Sequence, residues 1–385
     1  MRIVAVVLAA GLGTWGAVAD PNIRNNQGVQ LASEGRYAEA EAAYRQALEE
    51  WAQRPSQPAT ARGRALTLEN LGAVLRLAGR YQESGTVLKQ ALSEMESATG
   101  KESAEVGGVL RHLAALYRVT GDAAKAESCT LRADPLLDEP ERTNNRLVLA
   151  SVYIDEHRFP EARAILQPAL PEAGGAFLFA IDSDLAAAAL GEGKLDQAEA
   201  FAQRALEVAR GVLAPNSTAP ATVWTNLGQI YRFQKRYVEA ESSYRKAIEI
   251  WSAASPMHPF LARGLMNLAA FEQERGRVQA AEELYRRAAG VFEQSVGKND
   301  VQTLIARNEL AGALGAQGRY VAAEQLSRNT VPAIQKLLPE NDARVLRALS
   351  LRASLLAATK RQSEANALRE HIRLVASGLS AEPGQ

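Results

Sequence analysis

The side chains best suited to chemistry are few and scattered. The 385 residues hold four histidines, His112, His157, His258 and His371, and one cysteine, Cys129. None of these shares a helical metal-ligand spacing with another, so no metal centre is expected. ATGKES (98–103) lacks the upstream glycine spacing of a phosphate-cradling loop. Cys129 cannot form an internal disulfide, and its place beside Thr130 on a repeated helix pattern predicts a packed thiol. His258, in Met257-His258-Pro259, reads as a loop residue with a structural role. The sequence therefore predicts no catalytic residue, no cofactor site and no enzyme.

Amides and guanidinium groups do recur at fixed places. Asn70, Asn226 and Asn267 each stand two residues before a Gly or Ala, in LENLG, WTNLG and LMNLA. In the other copies of that pattern the same place holds Asn26, His112, Val148, Asp184, Glu309 and Leu351. A side-chain amide donates and accepts, so a row of them could pair with a peptide backbone of any sequence. The same row could equally tie neighbouring helices together, and both readings stand. Arg76, Arg118 and Arg232 follow the Gly or Ala by four residues, while Arg111 and Arg263 precede it by three and six. If these cations converge they offer bidentate sites for carboxylates, so an acidic peptide segment is the expected ligand. The alternative is that each pairs with an acid on the adjoining helical hairpin, at little net gain.

The elements that must position these residues come from an internal repeat. GRYAEAEAAYRQAL (35–48), KRYVEAESSYRKAI (235–248), GRVQAAEELYRRAA (276–289) and GRYVAAEQLSRNTV (318–331) are plain copies, each preceded by a matching half such as WTNLGQIYRFQ (224–234). The small residue within the second half falls at Ala40, Ser84, Ala126, Ala162, Ala198, Ala240, Ala281, Ala323 and Ala365. The intervals are 44, 42, 36, 36, 42, 41, 42 and 42 residues, a fixed period that marks a repeat architecture. Within one copy, Trp224, Leu227, Gly228 and Tyr231 fall on one helical stripe, and Ala240, Tyr244 and Ala247 on another. A turn carrying Gly, or Lys235 in its place, joins the two helices. Small residues at 228 and 240 would let the helices approach, with Tyr231 and Tyr244 filling the space beside them. One hairpin cannot bury its stripe alone, whereas stacked hairpins can. About 18 helices in nine copies are expected, most of the glutamates of the second helix facing solvent.

These residues and their spacing resemble the tetratricopeptide repeat (TPR), over roughly residues 22–374. The period of 41–44 residues, with TLENL (67–71) and SPMHPFLARGLMNLA (255–269), is similar to the kinesin-light-chain subtype. The resemblance implies an all-α fold, an α-solenoid wound as a right-handed superhelix of about nine helix-turn-helix hairpins. It also implies a concave groove lined by the first helices, placing Asn70, Arg76, Arg111, Arg118, Asn226, Arg232, Arg263 and Asn267 on a partner-binding surface. The copies between 135 and 205 are irregular, and Pro135, Pro140, Pro160, Pro168, Pro171 and Gly174-Gly175 suggest a bend or loosened joint near 135–190.

Charge and the chain ends bound the function. Forty-four basic residues balance 44 acidic ones, so no long-range field would gather nucleic acid or an anionic membrane. Residues 1–19 combine Arg2, an apolar run from Ile3 and a final Ala17-Val18-Ala19, the three parts of a signal peptide cleaved after Ala19. The remainder is expected to be exported, periplasmic or secreted, without membrane insertion. It would comprise a repeat array over 20–374 and a polar tail over 375–385. The expected function is a noncatalytic scaffold or adaptor that holds a peptide or protein in its groove. A chaperone-like carrier or regulatory subunit of an envelope or secretion complex is the alternative.

Overall fold

At three places where the repeat puts glycine in a first helix, an aromatic or leucine side chain from the partner helix occupies the space. A Cβ on Gly228 would lie 2.5 Å from Tyr244, one on Gly28 2.5 Å from Tyr44, and one on Gly72 2.5 Å from Leu88. The computed structural model describes residues 20–33, 36–171 and 173–377. Among them are eighteen α-helices, paired as nine hairpins, and two short 3₁₀ turns at Asp134–Leu136 and Gln167–Ala169. The proposed leader 1–19 and the tail beyond 377 lie outside the described residues.

Two compact units divide the chain, residues 1–171 and 172–385. The first holds α1 (Pro21–Ser33), α2 (Tyr37–Ala52), α3 (Pro58–Leu77), α4 (Tyr81–Thr99), α5 (Ala104–Val119), α6 (Ala123–Ala133), α7 (Glu141–Asp155) and α8 (Phe159–Leu166). The second holds α9 (Gly175–Gly191), α10 (Leu195–Val212), α11 (Ala219–Phe233), α12 (Tyr237–Ala254), α13 (Pro259–Glu274), α14 (Val278–Ser295), α15 (Val301–Ala316), α16 (Tyr320–Leu337), α17 (Ala343–Ala358) and α18 (Gln362–Ala376). The shortest helices, α6 and α8, fall in the proline-rich stretch, and each runs on into a 3₁₀ turn that carries a proline.

Within each unit every helix packs on its neighbours in sequence, and first helices also touch one another, as in α1–α3, α3–α5 and α5–α7 of the first unit or α9–α11 and α11–α13 of the second. Tyr44, Tyr244 and Tyr285 are fully enclosed at the equivalent place in three second helices. In the third hairpin Thr130 takes that place, buried, its hydroxyl donating to the carbonyls of Ala126 and Glu127. Cys129 beside it is half-buried, and burial pushes its thiol pKa up. Within α9 the carboxylate of Asp182 is fully buried and accepts two hydrogen bonds from Arg204 of α10, at 2.7 and 2.5 Å.

The hairpin turns share one geometry. In the turn at 231–236 the amide of Arg236 donates to the carbonyl of Tyr231 at 2.8 Å and that of Lys235 to Arg232 at 3.0 Å, the double bond of a Schellman motif. The residue between adopts a left-handed backbone: Gly79, Gly121, Gly193, Gly276 and Gly318 do so without a Cβ, whereas His157, Lys235 and Lys360 do so with one.

One expectation is overturned in part, since the glutamates just before the small residue, such as Glu39 and Glu239, stay exposed. The glutamate following the small residue of the second helix does not form a solvated face. Glu41, Glu127, Glu199, Glu241, Glu282 and Glu324 are each held by the turn arginine of the following hairpin: Arg80, Arg158, Arg236, Arg277, Arg319 and Arg361, at 2.6 to 3.0 Å. Glu282 and Glu324 keep only 10% and 7% of their side-chain surface exposed. The result is a ladder of six ion pairs, each stitching one hairpin to the next.

Candidate functional site

In the first unit the predicted cations gather along α3 and α5. Arg76 sits in the last turn of α3 and Arg118 in the last turn of α5, where a cation complements the helix dipole. Arg111 lies on α5, two turns earlier than Arg118. Arg76 is half-buried, and its pKa is held below the usual guanidinium value, chiefly by burial and next by the charge of Arg118, with Arg111 adding to it. Arg118 pairs with Asp155 of α7 at 3.0 Å and Arg111 with Glu141 of α7 at 3.1 Å. Arg76 makes no ion pair among the described residues, and its Nε is buried without a hydrogen-bond partner.

Beneath these cations lies a pair that sequence reasoning did not connect. Glu69 of α3 and His112 of α5 face each other, Oε1 to Nε2, at 3.5 Å. Burial pushes Glu69 up to about 7, against the pull of Arg111, and pushes His112 down to about 3 with help from Arg111 and Arg76. Were the contact an ion pair the shifts would run the other way. Desolvation wins, and the imidazole is neutral at pH 7. The Nδ1 of His112 and the Nε of Arg111 are also buried without partners. The repeat register had singled out His112, but not the glutamate one residue before Asn70 that meets it from the preceding hairpin.

The asparagines divide. Asn70 donates to the Oδ1 of Asn25 on α1 at 3.0 Å, which is the helix-tying arrangement. His112 to Glu69, and Glu309 accepting from Arg347 of α17 at 3.0 Å, repeat that pattern at the same register position. Asn226 and Asn267, on α11 and α13 in the second unit, are half-buried and make no hydrogen bond among the described residues. Of the two arginines there, Arg232 pairs with Glu274 of α13 at 3.1 Å and lies over the ring of Phe233. Arg263 is exposed, its guanidinium 5.5 Å from the ring of Phe260. Three of the five arginines thus follow the alternative reading and reach an acid on the adjoining hairpin. Arg76 and Arg263 do not.

No group of three or more His, Cys, Asp or Glu side chains among the described residues is placed to hold a metal ion. Nor is any described helix long and apolar enough to cross a membrane. The arrangement on α3 and α5 is suited to accepting an anion at one place: Arg76 is a partly desolvated cation without an ion pair, beside two guanidinium groups that already hold Glu141 and Asp155.

A family model described as Tetratricopeptide repeat matches residues 63–133, 177–253 and 260–336. A search of curated proteins returns no match. Among solved structures the chain is similar to the apo form of the quorum sensor NprR from B. thuringiensis, at 14% identity and a TM-score of 0.63 over 82% of this chain and 87% of that one. It is similar to a Rap protein complexed with Competence and Sporulation Factor, at 16% identity and a TM-score of 0.56 over 90% and 99%. A kinesin light chain with nearly identical TPR-like repeats from Podosopora anserina is 20% identical, with a TM-score of 0.45 over 52% of this chain and 96% of that one.

Proposed function

Because the chain belongs to the tetratricopeptide repeat family, whose repeats act as scaffolds for protein and peptide partners, we propose that it is a noncatalytic binding scaffold whose first-helix face takes an acidic peptide segment. The observation that carries this reading is Arg76, half-buried beside Arg111 and Arg118, with no ion pair among the described residues. A carboxylate placed there would recover a desolvated cation's missing partner, an interaction stronger than any surface pair. Asn226 and Asn267 offer unengaged amides on first helices of the second unit, suited to the backbone of a bound segment. The Rap protein, complexed with Competence and Sporulation Factor, supports binding as a use of such a fold. On the strength of residues 1–19, the reading places this binding in an exported compartment.

The test is affinity capture from the native exported fraction, with residues 20–385 as bait and an Arg76→Glu/Asn226→Ala/Asn267→Ala variant as control. A partner retained by the wild type and lost by the variant is the expected result. Equal recovery by both would move the interface away from the first helices and overturn the reading.

A further inference from the structure

The repeat register exposes a place where a full-length second helix, followed by a further hairpin, lacks its wedge. Eleven residues after the small residue of the second helix stands a large apolar side chain: Trp51 in α2, Met95 in α4, Trp251 in α12, Phe292 in α14 and Ile334 in α16. All five are buried. They fill the angle between one hairpin and the next. A Cβ on Gly63 would lie 2.4 Å from Trp51, and one on Gly264 2.7 Å from Trp251, while the Nε1 of Trp51 donates to Thr67 of α3 at 3.1 Å. In α10, a helix of 18 residues followed like the others by a further hairpin, the same register position holds Ala209.

A cavity of about 710 Å³ opens there, bounded by α10, α11, α12 and the loop joining the first two. Its lining is mainly apolar, with Leu206, Ala209, Leu213, Trp224 and Ile250 among its walls. The volume is that of a site for a bulky ligand group. Arg210, Lys246 and Glu249 are the charged residues at its rim. Arg210 is neutralised by Glu207 at 2.5 Å. Lys246 rests its ammonium 4.3 Å from the ring centre of Trp224 and has no ion pair among the described residues. Glu249 is the acid on the rim.

We propose that this cavity is a second docking site, which receives an aromatic side chain from a peptide partner, with a carboxylate or carbonyl beside that ring accepting from Lys246. The size and chemistry of the occupant come from the register, since the five equivalent places are filled by large apolar side chains, three of them aromatic. The flanking acceptor comes from the unpaired ammonium. The site is built from the second helices α10 and α12, the loop joining α10 to α11 and the first turns of α11, and it does not depend on the first-helix face around Arg76 proposed above.

The experiment uses N-acetyl-tryptophan as the probe, titrated into the full chain and followed by the indole N–H resonances in a protein-observed NMR spectrum. Binding that shifts the Trp224 resonance is expected, with N-acetyl-alanine leaving it unmoved. Ala209→Trp, which supplies the missing wedge, should abolish the shift and raise the melting temperature. Ala253→Arg, at an exposed position on the cavity wall, should weaken binding about tenfold or more without altering the fold. Lys246→Met should weaken N-acetyl-tryptophan more than it weakens N-acetyl-tryptophanamide. Arg76→Glu should change nothing here, which separates this site from the other. A Trp224 resonance that ignores the probe, or binding equal in the wild type and in Ala253→Arg, would overturn the proposal.

Discussion

At the residue scale, two side chains carry conformational or electrostatic cost that can be measured. Lys235 holds a left-handed backbone at φ 61° where five other turns place glycine. A Cβ in that region costs about 1–2 kcal/mol, and glycine returns part of the gain as unfolded-state entropy. Lys235→Gly should therefore stabilise the chain by up to about 1 kcal/mol in urea unfolding. Glu69 offers a signed pH test. Its folded pKa, raised to about 7, lies above the unfolded value near 4.5. The folded state keeps a proton that the unfolded state releases, so its contribution declines as pH rises from 4.5 through 7. His112, pushed down to about 3, runs oppositely below pH 6.5, so the wild-type curve alone blurs the effect. The difference between Glu69→Gln and wild type isolates it. That variant should match the wild type near pH 4 and exceed it by up to about 3 kcal/mol at pH 8. A difference independent of pH would show that Glu69 ionises normally.

Elements are joined by pairings the sequence only half discloses. Positions sharing one hairpin were legible: Gly228 against Tyr244, and the nine-fold recurrence of a small residue, follow from periodicity along the chain. The six Arg–Glu bonds were not, because each joins residues about one repeat apart, such as Arg319 and Glu282. Periodicity says which face a glutamate occupies, but not what the next hairpin brings to that face. The same gap hid the contact of Glu69 with His112 and left open whether Arg111, Arg118 and Arg232 would find acids. At this scale two substitutions should differ sharply. Glu282 accepts from Arg319, Gln317 and Arg286 while nearly enclosed, so Glu282→Ala should cost about 1–2 kcal/mol. Glu364 bonds only Arg361 within its own turn and is half exposed, so Glu364→Ala should be nearly neutral. In α9 and α10, Arg204→Ala strands the buried Asp182 and should cost about 2–3 kcal/mol. Thermal unfolding of the three variants checks the order.

Across the whole molecule, nearest-neighbour packing makes stability a sum over hairpins and their junctions. The ladder carboxylates Glu41, Glu127, Glu199, Glu241, Glu282 and Glu324 all have pKa values held low, against a cost of burial, by hydrogen bonds from arginine and, at Glu199 and Glu282, first from Gln234 and Gln317. Their contribution is present above the unfolded pKa near 4.5 and is lost as pH falls through the lower folded values. Acid should therefore loosen junctions throughout the array. The all-α repeat class was readable from the first alignment of copies, because period and residue size are properties of the string. Which cations stay unpaired was not readable, since that depends on the acids each neighbouring hairpin presents.

The central claim is that the first-helix face around Arg76 receives acidic segments. Its most direct test is fluorescence anisotropy of a labelled peptide of alternating Asp and Glu, eight residues long, titrated with wild type and with Arg76→Gln. The account predicts saturable binding to the wild type, weakened about tenfold or more by the substitution at unchanged far-ultraviolet circular dichroism. Equal binding by the two proteins, or none by the wild type at low salt, would contradict it.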